Sequence, residues 1–108
     1  MAARRYLCSQ LVRLTWSGGE RVVNLEEIWE NGAVLESEEP LHAGVRAEVR
    51  AGSCFFAGRV ATVGAYEFGW RIELEFSPLT PWSPERFRPD HLLDLWELGE
   101  TKDPNGSP

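Results

Sequence analysis

Three features of this sequence predict an all-β fold, a six-stranded antiparallel β-barrel. Apolar and polar residues alternate through most of the stretch between Leu11 and Phe76, which is the period of a half-buried strand. Glycine, serine, proline and asparagine break that alternation at short intervals, as turns between strands do. No intervening segment is long enough for the crossover helices that parallel strands require. An open sheet of this size would leave two unpaired edges and one bare face. Closure removes the edges and gives the inward residues one shared core. An open sandwich of similar strand order is the alternative.

The elements follow in order. Val12, Leu14 and Trp16 share one face of the first strand, with Leu11, Arg13 and Thr15 opposite. Ser17-Gly18-Gly19-Glu20 turns the chain, and Arg21-Val22-Val23-Asn24 returns as the second arm of a hairpin. The acidic run that follows, as far as Asn31, reads as a loop. A third short strand runs from Gly32 to Ser37 and stops at Glu38-Glu39-Pro40, because proline has no N–H for a ladder. Val45, Ala47, Val49 and Ala51 point inward on the fourth strand, with Arg46, Glu48 and Arg50 outward. Gly52-Ser53 leads into a long strand from Cys54 to Val63, in which Gly58 marks a bend or bulge. After a turn at residues 65–68, Trp70, Ile72, Leu74 and Phe76 face the core of the sixth strand.

The last third changes character. Ser77-Pro78-Leu79-Thr80-Pro81-Trp82 is a proline-rich extended segment. Ser83-Pro84-Glu85 is a helix-start signal, with a capping hydroxyl, a first-turn proline and an acid near the N-terminal dipole. Pro89 ends or kinks that turn. A short C-terminal helix is expected from Asp90 to Leu98, with Leu92, Leu95 and Trp96 on one stripe and Gly99 as terminator. Its apolar stripe packs on the barrel or is offered to another protein or a second copy. The expected organisation is therefore a flexible arm over residues 1–9, the barrel over 10–76, the proline-rich segment and helix over 77–99, and a disordered tail over 100–108.

Composition narrows the function. The chain has 108 residues, a net charge of −6, and ten arginines among its eleven basic residues. Its charge is segregated: residues 1–24 are basic, residues 25–44 carry six glutamates and no Lys or Arg, residues 45–72 are mildly basic, and the remainder is acidic. A duplex nucleic-acid binder carries a continuous basic face, so no DNA or RNA partner is expected. No apolar run approaches the roughly 20 residues that span a bilayer, and no signal-like segment opens the chain, so a cytoplasmic protein without membrane insertion is expected. Cys8 and Cys54 lack metal or redox spacing and are expected as free thiols. His42 and His91 have no partner at ligand spacing, so no metal or cofactor is expected. No base neighbours a nucleophile in sequence, so no enzyme is expected.

Two constellations remain. The first joins Arg4-Arg5-Tyr6-Leu7-Cys8 to Asn24-Leu25-Glu26 and, after the acidic run, Gly32-Ala33. Two guanidinium groups and a small-residue turn one hairpin later suit the clamping of a phosphorylated ligand against a β-surface. The second is Trp29 among Glu26, Glu27 and Glu30, an aromatic flanked by acids. It is either a recognition tip for a basic protein partner or a cap folded back over Ile28.

In the first constellation the chain resembles the PilZ family over residues 4–76. That family carries Arg-x-x-x-Arg followed by Asp/Asn-x-Ser-x-x-Gly, and its members are small β-barrels that bind cyclic diguanylate. The resemblance implies that Arg4 and Arg5 would grip the phosphates, with Asn24 and Gly32 on the adjacent barrel surface. It also shows where this chain departs. Cys8 stands at the second arginine, Glu26 stands at the serine, and extra residues separate Asn24 from Gly32. A neutral thiol cannot replace a guanidinium, and a carboxylate repels phosphate. Losing one charge-assisted group costs about 1.5–3 kcal/mol. With the carboxylate added, affinity falls by roughly two to four orders of magnitude.

The expectation is thus a PilZ-like non-enzymatic regulatory or interaction module with an eroded cyclic diguanylate site, monomeric or homodimeric. The alternative is a weakened receptor in which Arg13, Arg59 or Arg71 compensates for the missing arginine.

Overall fold

The computed structural model describes residues 4–95. Its strands are β1 (Tyr6–Trp16), β2 (Gly19–Trp29), β3 (Gly32–Ser37), β4 (Arg46–Ala51), β5 (Cys54–Tyr66), β6 (Gly69–Phe76) and the short β7 (Leu93–Asp94). All pairings are antiparallel. The ladder order β2-β3-β6-β5-β4-β1 is completed by pairing of β1 with β2, which closes a six-stranded barrel. Four of the connections are two-residue hairpins, bracketed by Trp16/Gly19, Trp29/Gly32, Ala51/Cys54 and Tyr66/Gly69. These are the places where turn residues interrupt the alternation.

The inward faces expected on β1, β4 and β6 are buried, apart from the half-buried Trp16, Val45 and Trp70. Leu14, Leu25, Leu35, Phe56, Ile72 and Leu74 are sealed from solvent, and Phe56 stacks on Phe76 at 5.3 Å between ring centres. No helix among the described residues is long and apolar enough to cross a membrane.

Three expectations are corrected. Residues 6–9 are not a flexible arm, because Tyr6 and Leu7 pair with Ile28 and Glu27 of β2 on one side and with Asp94 and Leu93 of β7 on the other. The acidic run is not a loop, because β2 continues through it to Trp29. A ladder slip hides it: Cys8 and Ser9 oppose Glu26 on the β1 side, and Glu26 is again the unmatched residue on the β3 side. Leu25 and Ile28 are both buried as a result, and a spacing of three does not read as a strand.

The third correction concerns the C-terminal segment. No helix starts at Asp90. The Asp90 N–H donates to Gln10 Oε1, and Leu93–Asp94 satisfy the open edge of β1. Trp96 and Leu98, and the expected tail over residues 100–108, lie outside the described residues.

The proline-rich segment closes one end of the barrel. The Trp82 N–H donates to the Glu30 carbonyl and its indole Nε1 to the Phe87 carbonyl. Its ring meets Tyr6 edge-on at 5.5 Å and is 3% exposed. The Thr80 hydroxyl bonds both the N–H and the C=O of Ala57. Ser83 to Phe87 form a single turn, with Arg86 and Phe87 N–H groups donating to the Ser83 carbonyl.

Candidate functional site

The Glu26 slip organises the surface that carries Asn24 and faces the N-terminal residues of β1. A bulge bends a strand and re-aims its side chains. Here two successive acids, Glu26 and Glu27, turn toward arginines that arrive from separate elements. Arg71, from β6, binds Glu26 and lies 3.5 Å from Glu27. Arg5 lies 3.6 Å from Glu27 on the other side. Arg4 donates to Asp94 of β7 at 2.9 Å. Asn24 donates through Nδ2 to Glu36 of β3 at 2.7 Å and accepts a long bond from the Ser9 hydroxyl.

Arg5 and Arg71 with Glu26 and Glu27 form one network, which Glu36 adjoins through Asn24, while Arg4 pairs with Asp94. The formal balance is one negative charge. Glu26 titrates above the usual carboxylate range, first because burial disfavours its charge, then because Glu36 lies nearby, while Arg71 pulls it back down. Burial, reinforced by Glu27 and Glu26, pushes the Cys8 thiol up to about 12, so it is neither an anion binder nor a nucleophile near neutral pH. A groove of ≈370 Å³ opens between β1, β2 and β3, lined by Cys8, Ser9, Asn24, Glu26, Glu36 and His91.

Gly32 does not belong to this groove. In the β2–β3 register Asn24 faces Glu36 and Gly32 faces Trp29, roughly 13–17 Å farther along the strands. Its role is packing: a Cβ there would sit 2.4 Å from the Leu74 carbonyl oxygen and 2.8 Å from the Trp29 ring. Trp29 is 7% exposed and lies beneath Arg5, whose guanidinium carbon is 3.8 Å from the ring centre. The indole is therefore a buried platform rather than an exposed tip. Glu30 is exposed at the β2–β3 turn, and its carbonyl holds Trp82.

Of the three arginines considered as substitutes, Arg71 alone joins the network. Arg13 pairs with Glu20 of β2 near the β1–β2 turn, and Arg59 faces Arg46 and Glu75 on the opposite wall. Glu36, Asp94 and Ser9 were invisible as site residues in the sequence, because strand register and the β7 return bring them in. The outward position of Arg71 was legible, but its neighbours across two strands were not. Cys8 and Cys54 are free thiols. Among the described residues no group of three or more His, Cys, Asp or Glu side chains is placed to hold a metal ion. The chain matches no protein-family model, no curated protein and no solved structure.

Proposed function

We propose that the chain is a PilZ-like, non-enzymatic regulatory or protein-interaction module whose cyclic diguanylate site is filled by its own side chains. One observation carries this: the arginines that would grip phosphate are engaged by Asp94, Glu27 and Glu26. The strength of those pairs is not the obstacle, since exposed ion pairs contribute only about 0.2–1 kcal/mol each. The obstacle is the charge left behind. A dianionic ring displacing Glu26, Glu27 and Asp94 from their arginines meets the same carboxylates, with Glu36, at contact distance.

Calorimetric titration of the chain with cyclic diguanylate tests this, with no saturable heat expected up to about 100 μM. A dissociation constant below about 10 μM, lost on replacing Arg4 and Arg5 together by alanine, would establish the receptor reading instead. Arg71 favours that second reading, because its guanidinium sits on Glu26, which lines the groove beside Asn24. The variant Glu26→Ser separates the two. It removes one carboxylate, supplies a hydroxyl and takes one of the two acids from Arg71, so it should gain affinity by about tenfold or more if the barrel surface is otherwise competent.

A further inference from the structure

Six described arginines lie on the barrel strands β1 to β6, and four of them have a carboxylate partner: Arg13 with Glu20, Arg21 with Glu39, Arg50 with Glu48, and Arg71 with Glu26. Arg46 and Arg59 differ. They stand directly opposite one another in the β4–β5 register, and both are exposed. Among the described residues neither has an acid within ion-pair distance nor an aromatic ring beneath it. Glu75 faces Arg59 from β6 without reaching it. Like charges directly opposite across an antiparallel pair destabilise the pair. A fold that neutralises its other strand arginines therefore leaves one cationic pair unrelieved.

That pair lines a trough of ≈730 Å³ whose other walls include Ala57, Gly58, Glu75, Ser77 and Pro78. We propose that the trough docks an acidic, extended segment of a partner protein, with one carboxylate of that segment held between Arg46 and Arg59. Guanidinium groups bind carboxylates through paired N–H donors, and two facing groups define one point of attachment. Small walls at Ala57, Gly58 and Pro78 leave room for a main chain to pass. The charge pattern selects a protein segment over a nucleic acid. A phosphodiester backbone needs cations in succession, whereas the next outward position along β4 is Glu48 and the next across from Arg59 is Glu75. This assigns a partner chemistry to the interaction role proposed above, on a wall remote from the Glu26 groove.

Fluorescence anisotropy of the full chain with a labelled octapeptide of alternating glutamate and leucine tests it, at about 20 mM and about 200 mM salt. Saturable binding is expected, weaker at high salt. It should fall about tenfold or more in Arg46→Ala and in Arg59→Ala, vanish in the double variant, and persist in Arg13→Ala. Thermal midpoints of the two single variants should be unchanged or raised, since each relieves a like-charge contact. Four results would overturn the proposal: no saturation up to about 1 mM peptide, equal affinity in the variants, equal or tighter binding of a thymidine octanucleotide, or a lowered thermal midpoint in the single variants. Failure of the peptide leaves the cyclic diguanylate titration unaffected, so the two proposals fail separately.

Discussion

Two arginine groups on this barrel differ in their surroundings. Arg4, Arg5 and Arg71 converge on Asp94, Glu27 and Glu26, with Arg5 also lying over Trp29. Arg46 and Arg59 face each other on the opposite wall, and among the described residues neither has a carboxylate partner. In the first group the protein's own acids complete the chemistry of the cations, which tie the N-terminal residues of β1, the slip in β2 and the short β7 into one unit. In the second group the chemistry is incomplete, and it is the cations that raise the local energy. The comparison teaches that arginine content does not locate a ligand. The distribution of carboxylates around the arginines does.

The largest expected effect tests the first group as a structural unit. Trp29→Ala removes a buried ring and the platform under Arg5, and should cost about 3–5 kcal/mol in denaturant unfolding. A loss below about 1 kcal/mol would show that the indole carries no structure. Next, Gly32→Ala forces a methyl against the Leu74 carbonyl and the Trp29 ring, an overpacking cost of about 1–3 kcal/mol. The same measurement on Arg46→Ala should show no loss, which is the contrast between the groups in its simplest form.

Smaller effects sharpen it. The folded-state pKa of Glu26 is raised, so the native state holds that proton more tightly than the unfolded chain does. Stability from this group is therefore greatest below the unfolded carboxylate value and falls as pH rises through the raised one. Comparing denaturation midpoints from pH 7 down into the carboxylate range, wild type should gain on Glu26→Gln as the pH is lowered. An equal pH response in both proteins would remove Glu26 as the source. The smallest effect is chemical. At pH 8, Cys54 should react with a thiol reagent well before Cys8, because Cys8 is buried and its thiol titrates near 12. Equal rates would mean that the slipped segment of β1 opens readily.

The barrel was legible in the sequence because its evidence is local. Alternation at Val12/Leu14, Val45/Ala47/Val49 and Ile72/Leu74/Phe76 marks the inward faces, and two-residue turns mark the hairpins. The candidate site was legible only in part. Arg5 and Glu26 meet in one network with Arg71 and Glu27, which Asn24 and Glu36 adjoin, while Arg4 pairs with Asp94 of β7. Gly32 was misassigned, because counting residues along a strand that slips at Glu26 does not give the distance from Asn24. The C-terminal stripe of Leu92 and Leu95 suggested a helix through periodicity alone. The open edge of β1 offered Leu93–Asp94 hydrogen bonds that such a helix would not satisfy.

By itself the sequence determined that this chain forms a β-barrel, since strand period and turn chemistry act over a few residues and need no distant partner. Only the tertiary structure decided which cations are neutralised. An ion pair depends on register and strand order, and those bring Glu26 to Arg71, Glu27 to Arg5 and Asp94 to Arg4, while leaving Arg46 facing Arg59.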